Sequence, residues 1–219
     1  FLGTVEYGLA CDLQRTMARQ LRESKQPNTL LLLEHPPVYT KGRLSLPHHL
    51  TLSPTELEGM GIRVYETDRG GQVTYHGPGQ LVAYPIVDLR NWGGPLMYVR
   101  TLEHIIIDTL MDFHIRATAV EGLTGVWVGD SKVAAIGIKI SQGVAYHGLS
   151  INVNTDLSYY NHIIPCGIND KAVTSIAQVL GRSVTSEEVQ YSFVYHFGRN
   201  MGFKMTEVDA SEVALTPNR

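Results

Sequence analysis

Cys166 stands in a sequence context that suits nucleophilic chemistry. Its neighbours are Pro165 and Gly167, and a cysteine between a proline and a glycine is typical of a turn. Gly167 lets a substrate approach closely, and the backbone amides after Cys166 can face a developing oxyanion. The alternative is a small buried core residue, which is what most free cysteines are. Both interpretations stay open for Cys166, whereas Cys11, inside a predicted helix, is interpreted as a core residue.

A nucleophilic thiol also needs a nearby cation or base, because a free cysteine with a reference pKa of about 8.5 is mostly protonated at neutral pH. Lys132 is a candidate, since it stands at the loop end of a predicted strand, where an ammonium can project into a cleft. His147 and His162 are further polar candidates. Lys139 follows seven residues after Lys132, so strand alternation places it on the opposite face as a solvated lysine.

A glycine-rich segment over 69–80 places Arg69, Thr74 and His76 in one loop. A ligand can approach backbone amides closely at glycine, so this combination indicates a site for an anion or a carbonyl. The segment is not a phosphate loop, because neither G-x-x-x-x-G-K-[ST] nor a strand-to-helix G-x-G-x-x-G is present. A tight turn at Gly70 and Gly71 is the alternative.

The sequence gives little support for a metal-binding site, although the chain contains nine histidines. The pattern H-E-x-x-H is absent, and the adjacent rings of His48 and His49 point in opposite directions if the backbone is extended. The two cysteines are distant in sequence. We therefore predict no metal ligands and no cofactor.

Composition narrows the class of protein further. The chain has 219 residues, a net charge of −3 and 43% hydrophobic residues, which suits one domain with a sizeable core and argues against a dedicated nucleic-acid binder. No run approaches the roughly 18 to 20 apolar residues of a membrane helix. Two cysteines are typical of a reducing compartment. We expect a cytoplasmic protein without nucleic-acid or membrane partners, or an organellar one if a targeting segment preceded Phe1.

Hydrophobic periodicity and capping signals predict alternating helices and strands. Helices are predicted over 6–26, 53–61, 95–114 and 174–180, and a last helix begins with a capping box of Thr185 and Glu188. Strands are predicted over 29–34, 62–66, 81–89, 124–128, 133–140 and 144–153. Pro85 indicates an edge strand or a bulge. The pattern, without repeats or linkers, predicts one α+β domain (an α/β sandwich) over 1–219, with a mixed, largely antiparallel sheet flanked by helices.

Four ordered motifs carry a resemblance to a known family. They are R-G-G-Q-V-T-Y-H-G-P-G-Q from Arg69, K-V-A-A-I-G from Lys132, H-G-L-S-I-N-V-N from His147, and P-C-G around Cys166. These motifs, and the spacing of 34 positions from Lys132 to Cys166, resemble the octanoyltransferases of lipoate biosynthesis. The likeness runs from about Tyr7 to Phe203 and leaves about 204–219 as a variable tail.

The resemblance implies an enzyme that transfers an octanoyl group from acyl carrier protein to a lysine of lipoyl domains. The recipients are 2-oxoacid dehydrogenase complexes and the glycine-cleavage H protein. Cys166 carries the acyl group as a thioester, and Lys132 lowers the pKa of that thiol and then deprotonates the incoming lysine. The implied fold is the catalytic domain of biotin and lipoate protein ligases. The implied acyl pocket consists of Arg69, Gly70, Gly71, Gln72, Val73, Thr74, Tyr75, His76, Ala135, Ile136, Gly137, Gly148, Leu149 and Ser150.

Three other functions stay open at this point. An ATP-dependent lipoate or biotin ligase shares the implied fold but needs no cysteine at position 166. A non-catalytic module that binds acyl carriers or lipoyl domains needs neither Cys166 nor Lys132. A cysteine hydrolase uses water in place of the acceptor amine.

Arginines mark a second face of the first predicted helix, where Arg15, Arg19 and Arg22 follow one another at helical spacing, with Lys25 at the end. Acyl carrier proteins and lipoyl domains are usually acidic, so this face is a candidate docking surface. The alternative is an ordinary solvated helix face.

Overall fold

A computed structural model describes residues 1–164, 172–210 and 213. The helices are α1 (Tyr7–Arg22), α2 (Pro54–Gly59), α3 (Pro95–Asp112), α4 (Ile176–Leu180) and α5 (Ser186–Met201). The strands are β1 (Thr29–Leu33), β2 (Val38–Lys41), β3 (Arg63–Glu66), β4 (Val73–His76), β5 (Gln80–Asp88), β6 (Thr118–Val120), β7 (Leu123–Val128), β8 (Ser131–Ser141), β9 (Val144–Asn152) and β10 (Ala172–Val173). The predicted helices and strands are confirmed, whereas β2, β6 and β10 were not predicted. The segment 69–80, predicted as a turn-rich insertion, contains β4.

The larger sheet has seven strands in the order β1-β5-β9-β8-β7-β6, with β10 beside β8. Its strand pairs are antiparallel except for β10 with β8. The predicted α+β fold with a largely antiparallel sheet is therefore confirmed. Pro85 lies in an inner strand, so the predicted edge is wrong. The β5–β9 pairs stop at Ala83–Leu149 and resume at Val87–Ala145, and Pro85, which lacks an N–H, lies in this interruption.

Two hydrophobic cores lie on opposite faces of the larger sheet. On one face, α1 buries Leu13 and Leu21 against β1, β5 and β9. On the other face, α3 and α5 bury Leu102, Ile106 and Phe193. These faces follow from the helical spacing of apolar residues, which places one stripe of each helix on the sheet.

A smaller sheet of three strands, in the order β3-β2-β4, has its own aromatic core. Tyr75 of β4 stacks on Tyr159, with ring centroids 4.6 Å apart. The hydroxyl of Tyr39 donates a hydrogen bond to the Tyr159 carbonyl at 2.7 Å. This sheet fixes β4, and β4 in turn fixes the residues that precede it in the glycine-rich segment.

The residues after α5 fold back onto the larger core. Phe203 and Met205 pack against it, and the Phe203 amide donates a hydrogen bond to the Gly198 carbonyl at 2.8 Å. Glycine is required at 198 for this packing, because a Cβ there would lie 2.7 Å from Met205 Cγ. The beginning of the predicted tail is therefore packed. In the described part of the chain, no helix combines the length and apolarity needed to cross a membrane.

We expect Phe193→Ala to lower the free energy of unfolding by about 3 to 5 kcal/mol, because it removes a fully buried ring and leaves a cavity between α3, α5 and the sheet. Tyr195→Ala on the same helix is the control, since Tyr195 is 61% exposed. Urea unfolding followed by circular dichroism measures both variants. Equal losses for the two variants would contradict this assignment of the core.

Candidate active site

A cavity of about 270 Å³ adjoins β8, β9, α1 and the segment that leads into β4. Its lining contains these residues of the predicted site: Arg69, Gly71, Gln72, Val73, Thr74, His76, Lys132, Ala135, Ile136, Gly137, Gly148, Leu149 and Ser150. Gly70 and Tyr75 do not line the cavity, because the Gly70 amide is bonded to the Ile138 carbonyl and Tyr75 belongs to the core of the smaller sheet. Cys166 lies outside the described residues.

A bulge in the pairing of β7 with β8 places the Lys132 side chain in this cavity. The β7–β8 register shifts between Val126 and Trp127, and both Val133 and Ala134 lie in the larger core. Two consecutive residues on one face break the alternation of the strand, so Lys132 lies on the cavity face. The predicted strand with Lys132 at its loop end is thus correct, but the bulge was not visible in the sequence.

The Lys132 side chain is held along its length and is 8% exposed. Its Nζ donates a hydrogen bond to the Thr124 carbonyl at 3.2 Å and lies 4.8 Å from the centroid of the Trp127 ring. Gly125, with a φ of 123°, makes room for it, because a Cβ there would lie 3.3 Å from Lys132 Cε. The cavity therefore contains a buried cation with a defined position.

β10 brings the chain back to Lys132 directly after residue 171. Val173 pairs with Lys132, and the Thr174 amide donates a hydrogen bond to the Lys132 carbonyl at 2.9 Å. Val173 also lines the cavity. The part of the chain that follows residue 171 is thus fixed beside this lysine.

The arginine–glycine turn that precedes β4 is bound to strand β8. The Gly70 amide donates a hydrogen bond to the Ile138 carbonyl at 2.9 Å. Gly137 permits this approach, because a Cβ there would lie 3.0 Å from the Gly70 oxygen and 3.1 Å from Arg69 Cδ. Arg69 is buried, and its Nη2 donates to the Thr40 carbonyl at 2.7 Å. A second cation thus lines the cavity.

Asp68 ties the same turn to β8 and β9. Its Oδ1 accepts from His147 Nε2 at 2.7 Å, and its Oδ2 accepts from Lys139 Nζ and the Tyr146 hydroxyl, each at 2.9 Å. Burial alone would raise the pKa of Asp68, but these hydrogen bonds outweigh it and hold the pKa well below its usual range. The predicted placement of Lys139 on the face opposite Lys132 is wrong, because the bulge places both lysines on one face. Its side chain is half-exposed, as a solvated lysine would be, but it is also ion-paired with Asp68.

His76 is a neutral hydrogen-bonding group of the cavity wall. Its Nδ1 donates to Gln80 Oε1 at 2.7 Å, because Gln80 Nε2 donates to Asn152 Oδ1 at 2.9 Å and to the Tyr160 hydroxyl at 3.1 Å. Burial lowers the pKa of His76 to about 3, with a further contribution from the nearby His35.

His35 is neutral for the same reason. Its Nδ1 donates to the Val5 carbonyl at 2.6 Å, and its Nε2 accepts from the Tyr84 hydroxyl at 2.7 Å. Burial lowers its pKa to about 4. His147 also has a lowered pKa, because its burial outweighs the attraction of Asp68. The cationic charge of the cavity thus comes from lysine and arginine side chains.

Several lining residues were missed by the sequence analysis. They are Tyr7, Leu44, Tyr84, Gly122, Leu123, Thr124, Ala134, Asn152, Tyr160 and Val173. His147, which was considered as a polar partner for a thiol, also lines the cavity. His147 and Asn152 do fall within the motif that begins at His147, but they were not assigned to the pocket. His162, considered as a partner for a thiol, does not line the cavity. Tyr7 and Leu44 carry no local signal, since only the tertiary fold brings them to the cavity.

Other polar groups have structural positions. Cys11 is buried beside Tyr7 and Val38, which confirms its prediction as a core residue, and burial raises the pKa of its thiol to about 11. The rings of His48 and His49 do not point apart, because Pro47–His49 is a 3-10 turn that brings their centroids within 4.8 Å. Within residues 1–164, 172–210 and 213, no group of three or more His, Cys, Asp or Glu side chains is placed to hold a metal ion.

Comparison with known proteins identifies the family. A model of the lipoyl protein ligase A/B catalytic domain matches residues 6–198. The octanoyltransferase of Solibacter usitatus is 48% identical over 205 residues, which span 93% of this chain and 92% of that relative. The chain belongs to the octanoyltransferase family. The family resemblance drawn from the four sequence motifs is thereby confirmed.

Two further comparisons place this octanoyltransferase-family chain among more distant proteins. The mitochondrial octanoyltransferase LIP2 of Arabidopsis thaliana is 43% identical over 190 residues, or 86% of this chain and 81% of that relative. A crystal structure of lipoate-protein ligase A bound with ATP has a TM-score of 0.77, covers 98% of this chain and 90% of its own, and is 15% identical. The second likeness concerns the fold and agrees with the fold class predicted from the sequence.

We expect the acid stability of this octanoyltransferase-family chain to depend on His76. The unfolded chain binds a proton at this histidine below a pH of about 6.5, whereas the folded chain binds it only near the lowered pKa of about 3. Stability is therefore lost as pH falls through this window. His76→Asn, which keeps a donor for Gln80, should reduce the slope of unfolding free energy against pH by up to about 1.4 kcal/mol per pH unit.

Urea unfolding at a series of pH values between about 6.5 and 4 measures this slope. The exposed His114 gives the control variant His114→Asn, whose substitution is tolerated at its φ of 60° because asparagine adopts the left-handed region readily. An unchanged slope in His76→Asn would contradict the assignment of a buried neutral histidine.

Proposed function

We propose that this chain transfers an octanoyl group from acyl carrier protein to a lysine of a lipoyl domain through a thioester on Cys166. The observation that carries the proposal is the buried ammonium of Lys132, which lines a cavity beside β10, the strand that begins after residue 171. A shielded cation near a thiol favours the thiolate, which is the nucleophilic form. The names of the curated relatives support the choice of octanoyl as the group transferred.

The transfer consists of two steps. In the first, the Cys166 thiolate attacks the carrier-bound thioester, the bond to the carrier sulfur breaks, and Lys132 gives its proton to the departing carrier thiolate. In the second, the amine of the acceptor lysine attacks the Cys166 thioester and forms an amide. Lys132 takes the proton of that amine, and Cys166 leaves as a thiolate beside the restored ammonium.

The cavity walls suit an acyl chain that ends in a polar reacting group. Val73, Ile136 and Leu149 provide apolar lining, whereas Arg69 and His76 provide polar lining. Each buried methylene contributes about 0.8 kcal/mol, so a chain of medium length gains binding energy until it meets the end of the cavity. Gly137 and Gly148 keep side chains of β8 and β9 out of this space.

The transferase is favoured over the alternatives by its energetics and its residues. Exchange between thioesters is nearly balanced and conversion of a thioester to an amide is downhill, so the reaction needs no ATP. The fold shared with lipoate-protein ligase A does not separate the two activities, because that likeness is at 15% identity. Lys132 and Cys166 favour the transferase over the ligase and over a non-catalytic module.

Mass spectrometry of the chain with octanoyl carrier protein and an apo lipoyl domain, without ATP, tests the covalent route. We expect the wild type to gain one octanoyl group and pass it to the lipoyl domain. Cys166→Ala should form no acyl-enzyme, since the attacking sulfur is gone. Lys132→Ala should form it at least 100-fold more slowly, which corresponds to about 2.7 kcal/mol of lost stabilisation.

Cys11→Ala is the matched control, because it removes the other thiol of the chain from a buried position outside the cavity lining. It should be acylated at the wild-type rate. Normal octanoylation of Cys166→Ala would refute the covalent mechanism, a requirement for ATP would favour the ligase, and release of free octanoate without amide formation would favour the hydrolase.

The arginine face of α1 is our proposed docking surface for the acidic carrier protein. Arg15 and Arg19 are exposed and Arg22 is half-buried, and Arg15 lies 3.5 Å from Asp12. The helix adjoins the site, because Gln14, next to Arg15, accepts a hydrogen bond from the His147 amide at 2.8 Å. A carrier bound along this face would stand close to the cavity.

Reversal of the three charges, Arg15→Glu with Arg19→Glu and Arg22→Glu, should raise the KM for octanoyl carrier protein about 10-fold or more and leave kcat unchanged, since the substitutions affect encounter and binding. Steady-state rates at several salt concentrations measure this effect. The control reverses the exposed Arg116, Arg182 and Arg199, which gives the same change in net charge. Equal KM values for the two triple variants would contradict the docking surface.

Lipoyl domains of 2-oxoacid dehydrogenase complexes and the glycine-cleavage H protein are the proposed acceptors. The cytoplasmic location expected from the two cysteines stays a prediction, and one of the relatives is a mitochondrial octanoyltransferase.

A further inference from the structure

Glu103 is a buried carboxylate that lies outside the cavity lining. It lies on α3, is 1% exposed, and its neighbours Leu102 and Ile106 belong to the larger core. Its Oε2 accepts a hydrogen bond from Arg100 Nη1 at 2.6 Å. Burial of a carboxylate in an apolar layer is costly, and a hydrophobic residue of similar volume often serves stability as well. The position of this carboxylate therefore calls for a reason other than stability.

The second carboxylate oxygen of Glu103 is connected to the cavity through a peptide group of β7. Glu103 Oε1 accepts a hydrogen bond from the Gly125 amide at 3.1 Å. That N–H belongs to the same peptide group as the Thr124 carbonyl, which accepts the hydrogen bond from Lys132 Nζ at 3.2 Å. One peptide group thus connects the buried carboxylate of Glu103 to the ammonium in the cavity wall.

This connection has an electrostatic and a geometric effect. A carboxylate that accepts from the N–H polarises the peptide group, so its carbonyl becomes a stronger acceptor for the ammonium. The carboxylate also fixes the plane of the peptide at Gly125, whose φ of 123° is a conformation that other residues rarely adopt. The Gly125 backbone in turn bounds the space for the Lys132 side chain, since a Cβ at position 125 would lie only 3.3 Å from Lys132 Cε.

We propose that Glu103 is a positioning residue for Lys132, which acts through the Thr124–Gly125 peptide. The inference rests on the proposed function, since it assumes that Lys132 moves the proton in acyl transfer. Glu103 itself does not line the cavity, so we expect it to make no contact with the substrate. Its role is to hold the ammonium at a fixed place in the wall.

Two variants separate position from charge. Glu103→Gln keeps an oxygen that accepts from the Gly125 amide, so it should keep transfer within about threefold of wild type. Glu103→Asp keeps the charge but is one methylene shorter and cannot reach the amide. It should lower kcat about 10- to 100-fold at unchanged KM, because a small displacement of a reacting group has an effect of this size.

Single-turnover transfer from the octanoylated enzyme to a lipoyl domain measures these rates, and thermal unfolding of each variant reports stability separately. Arg100→Ala is the first control, since it removes the partner of the other carboxylate oxygen and leaves the Gly125 bond intact. Thr109→Val is the second, because Thr109 is buried on the same helix and bonds to the Ile105 carbonyl at 2.8 Å. Both controls should transfer at the wild-type rate.

A double-mutant cycle with Lys132→Ala decides whether Glu103 acts through that lysine. Glu103→Asp should cause no further loss in the Lys132→Ala background, because the group that it positions is absent. An equal loss in both backgrounds, or wild-type kcat in Glu103→Asp, would overturn the inference. Full activity of Lys132→Ala itself would instead overturn the proposed role of Lys132, so the two failures are distinguishable.

Discussion

A buried ammonium is the constraint around which this site is built. Lys132 carries a charge in the wall of the larger sheet, and such a charge is tolerated only where polar groups face it. The Thr124 carbonyl and the Trp127 ring supply this contact. The β7–β8 bulge, the glycine at 125 and the carboxylate of Glu103 all bear on the position of this one side chain.

The glycine-rich turn and the two sheets form a connected support for the rest of the cavity. β4 belongs to the smaller sheet, whereas Gly70 is bonded to strand β8 of the larger one. Asp68 adds three hydrogen bonds from β8 and β9. A displacement of either sheet would therefore move Arg69. Because of this coupling, the segment 69–80, which was predicted as turns, has a defined position between the two sheets.

The sequence predicted most of the fold because the relevant signals are local. The periodicity of α1, α3 and α5 and the capping box at Thr185 and Glu188 depend on neighbouring residues, and both are present in the structure. Local signals indicated Arg69, Thr74, His76 and Lys132. The apolar lining of β8 and β9 was predicted only through the family motifs, because the sequence of one strand does not show which other strand it pairs with. Lys139 was misassigned because alternation fails at a bulge, and Glu103 was missed because its partner is a backbone amide of a distant strand.

The neutral histidines in and beside the cavity have a consequence for its working pH range. His35 and His76 have pKa values of about 4 and about 3, and the pKa of His147 is also lowered. The rings of His35 and His76 therefore stay neutral in mildly acidic solution, and the lowered pKa of His147 leaves its ring neutral at neutral pH. A substrate that enters therefore meets a neutral imidazole at His76 throughout that range. A change of pH within that range thus acts on the reacting groups and leaves the hydrogen bond between His76 and Gln80 in the cavity wall unchanged.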